Sequence, residues 1–430
     1  MITSPISGGS VVVGARASRM ARAGLAESVA ADVSLLGWPL SVRRSGLGGL
    51  GVVATRDIRA GERLVSEAPL ALTPLLGAAA AVCWHCLERA PAGAEQPLRC
   101  SGCRLVCWCS ERCREAGTVV ALTAGHAHAH GPTECAALAS WETAGRPNED
   151  VADLILQAVR LLDVRERAAS FRPFPSPSAT RLGFEAYEER LCDMKRNREN
   201  GDAIRRSALS AIDSAPAEAR VDRALLEEVL SRHQCNVYGV SGPAAVGHGL
   251  ASFVGILQLF NHSCAPNLAF DSRPAIPIAC GEQGGFAVAG MDSEDARAPR
   301  LFTAPVPMYS LIALRNIRAG TELTHCYASS SDGPAARQEY LRAHHGFRCD
   351  CPRCACTDPL AELVVSERLD ARRCIDPRCG SGLGVHVQDN SGQRQHEGDG
   401  VMLRCVHCGE SWEADEEDLG DLGLDICASI

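Results

Sequence analysis

Closely spaced cysteines are the feature of this sequence that most constrains its fold. Most of the 22 cysteines stand in C-x-C or C-x2-C pairs, and such pairs favour metal ligation over disulfides. Two residues between cysteines let both sulfurs reach one ion, and a structural zinc takes four ligands. The pairs therefore predict several closed zinc sites. With no secretory signal in the sequence, we also expect a reducing compartment, the nucleus or the cytoplasm.

The first cysteine cluster contains eight candidate ligands, enough for two tetrahedral zinc ions. These ligands are Cys83, Cys86, Cys100, Cys103, Cys109, Cys113, His130 and Cys135. His126 and His128 precede His130 closely and are alternatives to it. Cys107 fits no pair and is interpreted as an ordinary buried thiol.

The core of this cluster, Trp108-Cys109-Ser110-x2-Cys113, resembles that of a MYND finger. The resemblance implies interleaved pairs, with one zinc ion held by Cys83, Cys86, Cys109 and Cys113. It implies a second ion held by Cys100, Cys103, His130 and Cys135. The gap after Cys113 is longer than in typical fingers, and four residues instead of three precede Cys135. MYND fingers bind short peptides, which implies proline-rich peptide partners.

A second motif, Leu259-Phe-Asn-His-Ser-Cys-Ala-Pro-Asn267, resembles the N-H-S-C-x-P-N signature of SET domains. The flanking segments follow in the order found in that family. They are Cys235-Asn236-Val-Tyr238, Glu322-Leu-Thr-His-Cys-Tyr327 and Phe347-x-Cys349-x-Cys351-x2-Cys354. With the finger between its halves, the chain is similar to the SET and MYND domain family over roughly residues 41 to 356.

The resemblance implies an S-adenosylmethionine-dependent protein-lysine N-methyltransferase that acts on a histone or another protein. Methyl transfer to lysine is an in-line displacement, so positioning of the amine supplies much of the rate. By resemblance, Tyr327 orients the amine. Gly49 and Gly51 let the backbone approach the cofactor because glycine has no Cβ. The implied cofactor-binding residues are Gly49, Leu50, Gly51, Asn236, Asn261, His262 and Phe347.

Two further zinc sites are expected towards the C-terminus, giving about four structural ions in total. The post-SET set is Cys264, Cys349, Cys351 and Cys354, with Cys356 as a nearby spare. The spacing of the last set resembles a zinc ribbon, and its members are Cys374, Cys379, Cys405 and Cys408. Four-thiolate sites are closed and structural.

We therefore expect an α+β fold, in which a β-rich SET domain is split by a MYND finger and a helical segment. Its expected parts are a disordered tail at 1–40, the first part of the SET domain at 41–78, the finger at 79–140, a helical insertion at 141–232, the SET core at 233–335 with an irregular insertion at about 274–305, a post-SET zinc segment at 336–356 and a zinc-ribbon-like region at 357–430.

Within the helical insertion, Asn148-Glu149-Asp150 is typical of a helix start. Apolar residues follow it at helical spacing, namely Leu154, Ile155, Ala158, Leu161 and Leu162. A second helix is predicted over Arg223 to His233.

Two glycine-containing patterns have structural interpretations. Thr55-Arg-Asp-Ile-Arg-Ala-Gly61 resembles Leu314-Arg-Asn-Ile-Arg-Ala-Gly320, which indicates one strand–turn–strand device used twice. Gly46 to Gly51 matches G-x-G-x-x-G, but Val52-Val53-Ala54 leads into a turn and another strand. A dinucleotide site needs a helix there, so we exclude this function.

Composition excludes two classes of partner. A net charge of −9 argues against direct nucleic-acid binding, which needs a basic face. No run of 18 apolar residues occurs, so no membrane span is expected.

One alternative function stays open, a catalytically inactive SET scaffold that presents the finger to protein partners. The altered finger spacing and the insertion near Pro274 to Pro305 motivate this alternative.

Overall fold

The structure is a computed structural model of the full chain. It describes residues 38–47, 49–67, 69, 71–77, 82–89, 98–117, 130–144, 148–168, 206, 210, 223, 226, 229, 230, 236–241, 248–253, 256–275, 308–329, 332–356, 358–379, 382–388, 395–397 and 400–419. The expected tail as far as residue 37, nearly all of the expected insertion at 274–305, and His126 and His128 lie outside these residues. Among the described helices, none combines the length and apolar character needed to cross a membrane.

Runs of strands and runs of helices follow one another along the chain, as is typical of an α+β fold. The first strands are β1 Leu40–Arg44, β2 Leu50–Ala54, β3 Arg63–Glu67 and β4 Ala71–Pro74. The first cysteine cluster contains β5 Leu98–Arg99, β6 Cys107–Trp108 and α1 Glu111–Ala116. Two longer helices follow, α2 Pro132–Ala144 and α3 Glu149–Ala168.

The strands of the second half return to the same core. They are β7 Val237–Ser241, β8 His248–Ser252, β9 Asn261–His262, β10 Leu268–Ala275, β11 Met308–Ala313 and β12 Glu322–His325, with a 3-10 helix at Ile256–Leu259. The C-terminal elements are α4 Pro334–His345, α5 Pro352–Ala355, α6 Pro359–Asp370, β13 Gly384–His386, β14 His396–Glu397, β15 Gly400–Cys405, β16 Ser411–Ala414 and α7 Glu416–Leu419.

Small sheets built from strands that are distant in sequence form the SET-like core. Their orders are β1-β2-β12-β9, β10-β11-β3 and β4-β8-β7. The apolar faces of these sheets share one buried cluster, which includes Val52, Phe253 and Leu311. Because β12 lies between β2 and β9, segments more than 200 residues apart in sequence meet in one sheet.

The two similar segments Thr55–Gly61 and Leu314–Gly320 pair with each other. Ile58 and Ile317 form an antiparallel bridge, in which the N–H of each donates to the carbonyl of the other at 2.8 Å. Each segment ends on a glycine in the left-handed region, with φ of 83° at Gly61 and 85° at Gly320, where other residues are strained. The predicted repeated device is confirmed.

The helix predicted from Asn148 is confirmed as α3. The carbonyl of Asn148 accepts from the N–H of Ala152 at 2.9 Å. Of the predicted apolar positions, Ile155, Ala158, Leu161 and Leu162 are buried and Leu154 is partly buried. In the second predicted helix the described positions 223, 226, 229 and 230 are helical, and the last three are buried.

The glycine-rich segment at residues 46–51 links β1 to β2 and includes the first two residues of β2. These two strands pair antiparallel from Leu40 with Ala54 to Arg44 with Leu50. A strand follows the glycines, and the dinucleotide-binding arrangement of strand, glycine loop and helix does not form here.

Candidate active site and zinc-ligand clusters

Four groups of thiol and imidazole side chains converge in the structure. They are Cys83, Cys86, Cys109 and Cys113; Cys100, Cys103, His130 and Cys135; Cys264, Cys349, Cys351 and Cys354; and Cys374, Cys379, Cys405 and Cys408. Within each group the candidate ligand atoms lie within 4.8 Å of one another. These are the four sets expected from the sequence, and His130 occupies the histidine position of the second set.

The distances fit tetrahedral zinc. Zn–S bonds of about 2.3 Å place the sulfurs of a tetrahedral site about 3.8 Å apart. The Cys86 and Cys109 sulfurs are 3.7 Å apart, and those of Cys264 and Cys349 are 3.9 Å apart. The Cys103 sulfur lies 3.5 Å from Nε2 of His130. All 18 described cysteines are free thiols, so disulfides do not hold these groups together.

Two cysteines outside the groups match their expected roles. Cys107 is fully buried and lies 3.1 Å from the Val82 carbonyl oxygen. Burial raises the pKa of the Cys107 thiol to about 11, as for an inert thiol. Cys356 ends helix α5 and belongs to none of the four groups.

Parallel pairing of β9 with β12 brings the signature motif to the downstream motif. Asn261 lies opposite Thr324, and His262 lies opposite His325. Asn267, the last residue of the signature, supports this pairing because its side chain donates to the Glu322 carbonyl oxygen and accepts from the Thr324 N–H, both at 2.8 Å. The two motifs therefore form one site.

The side-chain amide of Asn261 is held in one orientation. Its Nδ2 donates to the Leu50 carbonyl oxygen at 2.9 Å and to Oε1 of Glu322 at 2.8 Å. The Ser45 hydroxyl donates to the same Glu322 oxygen at 2.6 Å. Since both partners of Nδ2 are acceptors, the amide nitrogen must face them. The amide oxygen is left to accept from a ligand.

The two positions of the predicted cofactor loop, 49 and 51, require glycine for different structural reasons. Gly49 has φ of 70°, in the left-handed region, as the hairpin turn requires. A Cβ on Gly51 would lie 2.9 Å from Nδ2 of Asn261 and closer still to the Glu322 carboxylate. At Gly51, the side chains of Asn261 and Glu322 occupy the space that a Cβ would need.

Tyr327 lies directly beside the asparagine–histidine pair. Its backbone N–H donates to Nδ1 of His262 at 3.0 Å, and the two rings are 5.3 Å apart. Its hydroxyl donates to the Phe260 carbonyl oxygen at 2.6 Å. Burial raises the pKa of Tyr327 above its ordinary value, so the phenol keeps its proton at neutral pH.

Further rings enclose Tyr327. The ring of His325 is 4.8 Å away, that of His345 is 4.9 Å away and that of Phe347 is 6.5 Å away. Burial lowers the pKa of His325 to about 3 and that of His262 to about 4. Both imidazoles are therefore neutral at physiological pH.

One predicted cofactor residue flanks the site from another segment, and a second precedes a strand that contributes a ring to the site. Phe347 follows α4 and places its ring 6.0 Å from that of His262. Asn236 immediately precedes β7, the strand that carries Tyr238. Tyr238 donates its hydroxyl to the Leu257 carbonyl oxygen at 2.9 Å and stacks on His325 at 5.7 Å.

The family comparison matches this architecture. The SET domain family matches residues 49–328, nearly two thirds of the chain, a range that begins at the predicted cofactor loop and ends one residue after Tyr327. The chain belongs to the SET domain family.

This SET protein is similar to curated relatives of the SMYD type. It is 26% identical to histone-lysine N-methyltransferase SMYD3 of Mus musculus over 324 residues, 74% of this chain and 62% of the relative. It is 22% identical to histone-lysine N-methyltransferase ASHR1 of Arabidopsis thaliana over 333 residues, 77% of this chain and 58% of the relative. The chain thus spans less than two thirds of the length of these relatives.

Among solved structures, the SET domain of LSMT bound to lysine and AdoHcy matches this chain at 12% identity. The match covers 81% of this chain and 64% of the LSMT chain, with a TM-score of 0.25.

Sequence reasoning missed several residues of the SET site. Glu322 and Ser45 hold Asn261, while Tyr238 and His325 extend the ring cluster around Tyr327. Glu322 and His325 lie within the downstream motif and could have been noticed there. Ser45 precedes the glycines, and nothing in its local sequence indicates that it contacts Glu322.

Proposed function

We propose that this SET protein transfers a methyl group from S-adenosylmethionine to a lysine side chain of a histone or another protein. The family membership supports the proposal, and the SMYD3 and ASHR1 relatives are named histone-lysine N-methyltransferases. The observation that carries it is the contact between Tyr327 and His262, next to the anchored amide of Asn261.

The donor site would consist of the asparagine–histidine pair, the loop Gly49 to Gly51, Asn236 and Phe347. The fit rests on the available oxygen of Asn261, whose amide nitrogen is fully engaged. S-adenosylmethionine, when bound, supplies an electrophilic methyl group on its sulfonium sulfur. The neutral imidazole of His262 adds no positive charge beside a cationic donor.

Tyr327 would orient the lysine amine. Its proton is donated to the Phe260 carbonyl oxygen at 2.6 Å, so its oxygen presents lone pairs that accept from an amine N–H. Because burial raises its pKa, Tyr327 remains a neutral phenol and does not act as a base. Burial also disfavours a charged ammonium, which helps the amine to be neutral when it attacks.

We also propose that the four ligand groups hold structural zinc. The post-SET group joins Cys264 of the signature to Cys349, Cys351 and Cys354, so its zinc would fix Phe347 against the site. Binding energy at such a site is folding energy. The first cysteine cluster is proposed to be a MYND finger that binds proline-rich peptides, and the C-terminal group is proposed to be a zinc ribbon.

Transfer of labelled methyl groups from S-adenosylmethionine to core histones and to a cell extract tests the proposal. We expect Tyr327→Phe to lower the labelling rate roughly 100-fold, since loss of orientation alone can have an effect of this size. Tyr340→Phe is the matched control, because Tyr340 is a partly exposed phenol of α4. Its labelling rate should equal that of the wild type.

Equal labelling by wild type and Tyr327→Phe would remove Tyr327 from the mechanism. Absence of labelling by the folded wild type, together with no calorimetric heat of S-adenosylmethionine binding, would replace the enzyme with the inactive scaffold that presents its finger to protein partners.

A further inference from the structure

His130 presents its two ring nitrogens to different partners. Nε2 lies 3.5 Å from the sulfur of Cys103, within the second ligand group. Nδ1 lies 3.4 Å from Oε2 of Glu134, and the two side chains are 5% and 0% exposed. An imidazole that binds a metal through one nitrogen commonly donates the other N–H to a carboxylate, which fixes the ring.

Glu134 owes its position to the start of helix α2. This helix begins at Pro132, two residues after His130, so Glu134 lies in its first turn. The spacing of four residues places the carboxylate next to the imidazole. Cys135, the next residue, is itself a member of the ligand group. The segment that supplies two candidate ligands therefore also supplies the carboxylate.

Arg160 of α3 neutralises this buried carboxylate. One terminal nitrogen of Arg160 donates to both Glu134 oxygens, at 2.6 and 2.9 Å, and its Nε donates to Oε2 at 3.3 Å. Charge-assisted hydrogen bonds of this kind are shorter and stronger than neutral ones, so the guanidinium fixes the position of the buried carboxylate.

The same guanidinium also contacts the SET core. The other terminal nitrogen of Arg160 donates to the carbonyl oxygen of Leu72, in β4. Strand β4 pairs with β8 and belongs to the sheet β4-β8-β7. The guanidinium also lies 5.6 Å from the ring centroid of Trp84, next to Cys83 of the first ligand group.

We propose that Glu134 is the positioning residue for zinc ligand His130, and that Arg160 couples this zinc site to strand β4 of the SET core. The inference rests on the proposed zinc role of the second group and goes beyond it. Zinc occupancy and the packing of α3 against β4 then stabilise each other, since such coupling is reciprocal.

Zinc release from the fully loaded, full-length protein tests the first half of the proposal. With a chromogenic chelator, we expect Glu134→Gln to release one of about four zinc equivalents about 10–100-fold faster than the wild type does. The other equivalents should leave at the wild-type rate. Glu111→Gln is the matched control. Glu111 is exposed and pairs with Arg114, next to Cys113 of the first ligand group.

A second background separates positioning of His130 from loss of the ion pair with Arg160. His130→Cys replaces the imidazole with a fourth thiolate, so Glu134 has no ring to orient. There we expect Glu134→Gln to leave the release rate unchanged. Equal acceleration in both backgrounds would show that Glu134 acts only through Arg160. An unchanged rate for Glu134→Gln in the otherwise wild-type protein, which keeps His130, would also overturn its positioning role.

Hydrogen exchange of the peptide 71–77 tests the coupling to β4. Cys135→Ser, which disables the second zinc site, should accelerate exchange in β4 about 10-fold relative to wild type, because zinc no longer supports the link. In a Glu134→Gln, Arg160→Met background, the same substitution should have no effect on β4. Equal exchange in wild type and Cys135→Ser would overturn the coupling. None of these measurements depends on methyl transfer, so failure of the proposed function would be seen separately.

Discussion

Glu322 shows how one side chain outside the predicted set determines the geometry of a predicted site residue. Its Oε1 accepts from Asn261 and from Ser45, and its carboxylate lies over the backbone of Gly51. A side chain at position 51 would displace this carboxylate. The loop glycine and the anchored amide are thus two consequences of one contact.

We predict that Glu322→Gln weakens binding of S-adenosylhomocysteine about 10-fold. A hydrogen bond to a charged group contributes roughly 1.5–3 kcal/mol, and a neutral partner would hold the Asn261 amide less firmly. Isothermal titration calorimetry measures the change in Kd. Glu339→Gln, on the exposed surface of α4 and paired with Arg342, should bind like wild type. An unchanged Kd for Glu322→Gln would contradict the positioning role of Glu322.

At the scale of elements, α3 buries polar residues as well as its predicted apolar face. Asp153 accepts from the Leu76 N–H at 2.8 Å, and Gln157 donates to the Ala71 carbonyl oxygen at 3.0 Å. With Arg160, these residues form a stripe at spacings of four and three along the helix. Strand β4 is terminal in its sheet, so its edge needs other partners. The polar stripe of α3 supplies them.

Replacing Gln157 should reveal the strength of this contact. Its side chain also accepts from the Thr73 hydroxyl at 2.6 Å and donates to the Ser252 hydroxyl at 3.2 Å. Gln157→Leu would remove these buried hydrogen bonds, and we expect the free energy of unfolding to fall by about 3 kcal/mol. Chemical denaturation measures it. Glu149→Gln, at the exposed start of the helix, should change it little, and an equally small loss for Gln157→Leu would contradict the assignment.

At the scale of the whole molecule, the C-terminal ligand group belongs to a unit that is docked on the SET core. Asp271 of β10 is buried and accepts from Arg404 of β15 at 3.0 Å. Val385 and Val406 share a buried cluster with Ile312 and Leu314. The core and the C-terminal unit should therefore unfold together.

This arrangement predicts the consequence of removing one thiolate from the last group. Cys408→Ser should lower the bound zinc from about four to about three equivalents per chain. It should also lower the midpoint of a single thermal transition by about 2 °C, which corresponds to a loss of roughly 2 kcal/mol for a chain of this length. Atomic emission and calorimetry measure the two effects. Loss of zinc with an unchanged core transition would show that the unit folds independently.

The four candidate ligand groups could be predicted from the sequence because they depend on short spacings and on a recognisable motif. Cys349 and Cys351 are two residues apart, and covalent geometry alone keeps their sulfurs near each other. Buried charges were not predictable in this way. Glu362 accepts from Arg353 at 2.8 Å and from Arg337 at 3.1 Å, which joins α4, α5 and α6. From its local sequence alone, each of these residues would be predicted to be an exposed charge on a helix surface.

The order of the motifs, the cysteine pairs and the repeated turn segments could be predicted from the sequence, because each depends on residues that are neighbours along the chain. Only the folded arrangement showed that those turn segments pair with each other and that Glu322 faces Asn261. It also decided that Arg160 connects Glu134 to Leu72. These contacts join residues far apart in sequence, and a buried polar group takes as its partner whichever group the packed fold brings within hydrogen-bonding distance.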